Sequence, residues 1–224
     1  MNKKNLFNWR EKTSEHYIFS FLSNSVAEKE IEDIIREQEK WYSLIIKKLK
    51  IKNNRKIHYY LYPSRTLKEK LTEDVGNAYA NWDDFSVHTI YSKNLKVIGP
   101  HEDTHLLTLS WGTSIELFQE GLAEYLHPLW HSKSHNYWVK KYKEENKFEF
   151  EKLFDNNYFY SLNPNISYPI AGSFTKFLID KYGLEKFKES YSSLSKEKNN
   201  KENIEIFENI YQKPIREIES DWIK

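Results

Sequence analysis

Strand-type apolar alternation in this 224-residue chain is confined to the first 91 residues, and from about Val97 onward the apolar spacing is that of helices. The segments 16–21 (His16-Tyr17-Ile18-Phe19-Ser20-Phe21), 57–62 (Ile57-His58-Tyr59-Tyr60-Leu61-Tyr62) and 85–91, where Phe85, Val87 and Thr89 share a face, read as strands. Between the first two, Ile31, Ile34, Ile35, Trp41, Leu44, Ile45 and Leu49 recur at spacings of three and four, which predicts an amphipathic helix over 26–49. Pro63-Ser64 closes the second strand and offers a helix start. The order predicts an α+β fold: an N-terminal lobe (1–111) with a small mixed sheet and helices, then a mostly helical lobe (112–224). With no repeat and no Gly/Ser tether, the two lobes are expected to form a single domain, 1–224, and to share one cleft.

Charge and cysteine content narrow what such a fold can do. Lys and Arg number 34 against 33 Asp and Glu, a net charge of +1, so there is no cationic excess with which to bind nucleic acid. The chain has no cysteine, which rules out disulfides and leaves only nitrogen and oxygen to hold a zinc ion. Leu, Ile, Val and Phe make up roughly 26% of residues, above the ~20% mark below which disorder is expected, and aromatics at 16% add bulk to the core. No apolar run approaches the roughly 18 residues needed to span a bilayer. The basic start, Met1 to Arg10, lacks the ~7–15-residue apolar core of a signal peptide. These features predict a cytoplasmic chain, or a secreted or cell-surface one if it is a trimmed mature form. Nothing in the sequence addresses its oligomeric state.

The chemistry-bearing residues are His101-Glu102-Asp103-Thr104-His105. On a helix, positions i and i+4 project from one face, so His101 and His105 can aim imidazole nitrogens at a single Zn²⁺. Glu102 stands about 100° round the helix from His101, within reach of a water on that metal without ligating the metal itself. Gly99-Pro100 places proline in the first turn, Glu102 and Asp103 favour the positive end of the helix dipole, and Trp111-Gly112 offers a stop. By chance alone an HExxH arises roughly once in thirty chains of this histidine and glutamate content. The next helix, over 113–126, has a possible capping box (Thr113 with Glu116) and an apolar stripe of Ile115, Phe118, Leu122, Tyr125 and Leu126. Its other side lines up Glu116, Glu120 and Glu124, either a solvated face or carboxylates gathered beside a cation. Gly121 within that helix costs about 1 kcal/mol relative to alanine, which close helix packing there would explain.

HExxH followed by Glu-Gly-Leu-Ala-Glu-Tyr resembles the gluzincin metallopeptidases, most of all the bacterial peptidase MA-like domains akin to the thermolysin and aminopeptidase N folds. The resemblance spans roughly residues 15 to 190. It implies a zincin-like fold with the zinc cleft between the lobes, and His101, His105 and Glu120 as metal ligands. It also implies Glu124 as the carboxylate that orients a zinc-bound histidine. Fourteen residues separate His105 from Glu120, a shorter gap than is usual in the family, which leaves Glu124 open as the third ligand. The segment Tyr168 to Leu178 is similar to the one whose leading tyrosine stabilises the oxyanion, with Pro169 read as the helix start. The strand over 85–91 would match the family's edge strand, on which an extended peptide can pair.

The expected activity is zinc-dependent hydrolysis of peptide bonds in a peptide or protein substrate, with Glu102 as general base and Tyr168 as second electrophile. The alternative is a zinc-bearing binding domain with little or no hydrolytic activity. Endopeptidase and aminopeptidase remain open; Asp83 and Asp84 could hold a substrate amine or simply face solvent. His127, His131 and His135 recur every four residues, but Pro128, Ser132 and Ser134 read as a break in the helix rather than a second metal site. His16, His58 and His88 read as structural or surface residues.

Overall fold

The computed structural model describes residues 8–127 and 129–224. Residues 1–7 of the basic start, and Pro128, expected to break the helix after His127, lie outside them. The chain forms two compact units, 1–108 and 109–224, and is mixed α+β. Among the described residues no helix is long and apolar enough to cross a membrane.

The first unit runs β1 (Trp9–Thr13), β2 (Tyr17–Leu22), α1 (Val26–Lys29), α2 (Ile31–Leu49), β3 (Ile57–Tyr62), α3 (Arg65–Thr72), β4 (Ala78–Asn81), β5 (Ser86–Ile90) and α4 (Pro100–Leu107). The strands form one mixed sheet in the order β1-β2-β3-β5-β4, parallel through β2, β3 and β5 and antiparallel at both margins. The segment over 85–91 is therefore an interior strand and not the edge expected of it. The edge is β4, whose Ala78-Tyr79-Ala80-Asn81 carries no apolar alternation and gave no strand signal. β1 was also unforeseen, because Trp9-Arg10-Glu11-Lys12-Thr13 is polar enough to read as loop. A charged margin of this kind deters pairing with other chains. The helix predicted over 26–49 is interrupted at Glu30, where Ser25 caps the short α1 by accepting from the Glu28 N–H.

Period-two alternation divides β3 between two aromatic layers. Tyr59 joins Tyr17 and Phe19 of β2 in the core, and Tyr42 of α2 meets Tyr17 edge-on. On the opposite face His58, Tyr60 and His88 stack at 4.2 and 4.6 Å between centroids, and Tyr79 continues the ladder at 4.9 Å.

The second unit holds α5 (Glu116–Tyr125), a hairpin of β6 (Leu129–Trp130) and β7 (Lys133–Ser134), α6 (His135–Glu144), a 3₁₀ turn (Phe150–Phe154), α7 (Asn156–Ser161), α8 (Pro164–Tyr182), α9 (Leu184–Ser193), α10 (Asn200–Tyr211) and α11 (Ile215–Ile223). Phe118, Phe150, Phe154, Phe174, Phe187 and Phe207 form its centre, with Phe118 and Phe187 stacked at 5.3 Å. Much of the aromatic excess in the composition is spent on these two cores, where few large rings replace many aliphatic side chains.

Helix α5 packs along α8, and two glycines set their spacing. A Cβ at Gly121 would stand 2.8 Å from the Ala171 carbonyl oxygen, and one at Gly172 would stand 2.7 Å from Glu124 Cβ. The helical glycine noted in the sequence is thus a contact point between backbones. The predicted Thr113–Glu116 capping box does not form: α5 begins at Glu116, whose N–H donates to the Asn156 side chain instead. Pro169 does not start a helix either. Asn163 caps α8 by accepting from the Asn165 N–H, and Pro164 takes the first turn, so Pro169 lies inside the helix with Tyr168 before it. Asn-Pro is the stronger start, because it supplies both the cap and the preset φ.

Candidate metal centre

In the first unit α4 carries the HExxH segment, with Pro100 at its N-terminus and Glu102 and Asp103 in its first turn. At 100° per residue Asp103 points about 160° away from both histidines, so the helix has an anchored side and a histidine side. Asp103 is fully buried and accepts from the Tyr17 phenol (2.5 Å), the Tyr59 phenol (2.8 Å) and the Gln38 amide (3.1 Å). The same amide lies 3.2 Å from the Gly99 carbonyl, which ties the start of α4 to α2. Burial pushes the Asp103 carboxyl up to about 7, against the two tyrosines and Gln38, whose hydrogen bonds act in the opposite direction. Burial beside that carboxyl in turn drives the Tyr17 and Tyr59 phenols well above their usual value. None of these anchors carried a sequence signal, since Tyr17, Gln38, Tyr59 and Asp103 are scattered over 87 positions and meet only in the folded sheet.

Opposite the anchor, the Nε2 atoms of His101 and His105 are 3.3 Å apart. Two imidazoles on a tetrahedral zinc, each at about 2.0–2.1 Å, have nitrogens ~3.3–3.4 Å apart. The observed pair therefore has the edge length such an ion requires. Both rings are half-buried, as is Glu102 between them in sequence.

In the second unit the three glutamates of α5 are not a solvated face. Glu116 is 3% exposed, Glu120 9% and Glu124 2%. Each has its own surroundings. Glu116 pairs with Lys196 and accepts from the Gln119 amide at 3.3 Å, and the Tyr160 phenol bonds to it, so its charge is balanced within the unit. Glu120 is close enough to raise the Tyr160 phenol, after burial and Glu116. Glu124 faces the His135 ring, Oε2 to Nε2 at 3.3 Å.

Tyr168 is half-buried in an aromatic cluster, 5.8 Å from Trp130 edge-on and 6.3 Å from Phe159. The histidines at 127, 131 and 135 do not share a helix. The hairpin intervenes, with His131 at positive φ in its turn and bonded to Asn165 at 2.9 Å, while His135 begins α6. Asp83 and Asp84 are exposed, the latter bonded to the Ser86 hydroxyl. His16 pairs with Glu39 at 2.6 Å, and His88 is buried against Tyr62 and Ser86. No protein-family model and no curated protein matches this chain.

Proposed function

We propose that the chain is a metal-dependent hydrolase of peptide bonds, of the gluzincin type, in which His101, His105 and Glu120 each offer one ligand atom to a single divalent ion. Zinc is the ion that this set of two nitrogens and one carboxylate fits, since it leaves a fourth tetrahedral position open. The observation that carries the reading is the 3.3 Å separation of the two imidazole nitrogens on α4. Zn²⁺ held in this way would lower the pKa of a bound water to about 7 and polarise a carbonyl oxygen.

The remaining work falls to the chain. Glu102, adjacent to a ligand but turned about 100° from it, takes the proton of the attacking water and delivers it to the leaving amine. Tyr168 donates a hydrogen bond to the carbonyl oxygen as charge develops there. Asp103 and its three donors keep α4 from rotating, which holds both histidines and Glu102 in register. Between the two glutamates open as third ligand, we take Glu120, the one that groups with His101 and His105 as a possible ligand set. The test is Glu102→Gln, assayed by digestion of a peptide library with and without a chelator. The wild type should cleave in a chelator-sensitive way, and the variant should keep its metal and lose turnover. Full activity in the variant would refute the role of Glu102. A wild type that binds metal but cleaves nothing would favour the peptide-binding alternative.

A further inference from the structure

Residues 40–68 hold nine lysines and arginines and no aspartate or glutamate, inside a chain whose total charge is only +1. Six of the nine fall within ten positions, 47–56, where α2 ends and the loop to β3 begins. Lys47 and Lys48 stand in the last turn of α2, Lys50 closes it in the left-handed conformation, and Lys52, Arg55 and Lys56 follow in the loop. All six are exposed. The first half of the same helix is different: there Asp33 pairs with Arg36 at 3.0 Å and Glu32 with Lys12 at 2.9 Å.

Part of this placement has a local cause. Lysines in a last turn complement the negative end of the helix dipole. The Lys56 ammonium donates to the Ser14 carbonyl, and the Arg55 guanidinium lies 4.2 Å from the centre of the Phe85 ring. None of these contacts accounts for the missing acids. Among the described residues no carboxylate pairs with Lys47, Lys52, Arg55 or Lys56. Glu39, the last acid before the segment, is taken up by Ser14 and His16, and Asp84, next to Phe85, accepts from Ser86. Like charges crowded on one surface repel and work against the compact state, and an anionic partner offsets that cost.

We propose that this patch docks the protein on an anionic lipid surface. The inference uses no residue of the metal centre. Five of the six cations are lysines, compact point charges that suit a fluid layer of headgroups. The two-pronged grip on a fixed phosphate belongs to arginine and to helix N-termini, whereas this patch has one arginine and a helix C-terminus. The rings that Asn53 and Arg55 touch, Tyr42 and Phe85, are buried and leave no face on which an unstacked base could lie. Attachment of this kind is electrostatic, so salt screens it. Each lysine close to such a surface is worth about fivefold in partitioning.

The experiment is co-sedimentation of the whole chain with phosphatidylcholine vesicles, with and without phosphatidylserine, at low and at high salt. The wild type should bind only the vesicles that contain phosphatidylserine, and salt should release it. Lys47→Gln, Lys48→Gln, Lys50→Gln and Lys52→Gln combined should weaken binding by more than about a hundredfold. The same change at four exposed lysines elsewhere, Lys147, Lys188, Lys198 and Lys201, removes as much charge and should have little effect. Circular dichroism checks that each variant is folded. If the fourfold patch variant does not fold, Lys47→Gln with Lys52→Gln takes its place, with an expected loss of about twentyfold. A wild type that ignores phosphatidylserine at low salt would overturn the inference. So would a folded patch variant that binds as well as wild type, or a control variant that loses as much as the patch variant. Tighter binding of a duplex DNA probe of arbitrary sequence at the same salt would also overturn it, and would assign the patch to nucleic acid.

Discussion

Replacing Gly121 by alanine gives a change of opposite sign according to whether α5 and α8 approach as closely as described. At an uncrowded helix position the substitution stabilises by about 1 kcal/mol, because glycine pays more backbone entropy on folding. Here the new methyl would stand 2.3 Å from Thr175 Oγ1, 2.8 Å from the Ala171 carbonyl oxygen and 3.1 Å from its carbon. Thr175 could change rotamer, but the Ala171 carbonyl belongs to a helix and cannot move alone. Overpacking of a well-filled core costs typically about 1–3 kcal/mol, and a clash with rigid backbone belongs at the top of that range. Subtracting the helix-propensity gain leaves a net loss of about 2 kcal/mol. At roughly 2–4 °C per kcal/mol for a chain of this size, the melting temperature should fall by about 4–8 °C. Thermal unfolding followed by far-ultraviolet circular dichroism measures this directly. A Gly121→Ala variant as stable as wild type, or more so, would show that the helices do not meet at that point.

Two further outcomes follow from the network and the surface charges. Asp103→Ala removes an acceptor shared by three buried donors. The Tyr17 phenol and the Gln38 amide keep other acceptors in the Gln38 carbonyl, the Tyr59 phenol oxygen and the Gly99 carbonyl. The Tyr59 phenol is therefore the donor left unsatisfied, and urea unfolding should show a loss of about 1–3 kcal/mol. Asp103→Asn, which keeps an acceptor oxygen, should lose less. Asp221 is held well below the ordinary carboxylate range by hydrogen bonds from Lys181, Lys213 and Lys224. A lowered folded-state value means stability that is present above the unfolded value near pH 4 and is lost as pH falls below it. Asp221→Asn should therefore narrow the stability difference between pH 6 and pH 3, with salt reducing the effect; an unchanged difference would show that these lysines contribute nothing.

The parts of this fold that were legible in the sequence are those in which one segment carries its own signal. Residues 57–62 alternate cleanly and form β3, and Pro100 opens α4 because its missing N–H costs nothing in a first turn. Pro169 carries the same local cue yet lies inside α8, because a better start, Asn163-Pro164, lies five residues upstream. The acidic stripe of α5 allowed two opposite readings, since spacing alone cannot distinguish a solvated carboxylate from a buried one. Gly121 and Gly172 let α8 lie close against that helix, which covers Glu124. The anchor beneath α4 and the His135–Glu124 pair were invisible for a different reason: each joins residues from separate elements, with no periodicity connecting them.

The most direct test of the metal centre is the zinc content of the protein purified without added metal, measured by mass spectrometry for the wild type and for His101→Ala, His105→Ala and Glu120→Ala. The account predicts close to one zinc per wild-type chain, near zero in the two histidine variants, a marked loss in the glutamate variant, and full retention in Glu102→Gln. A wild-type content far below one that does not rise when zinc is supplied, or a histidine variant that keeps its metal, would contradict it.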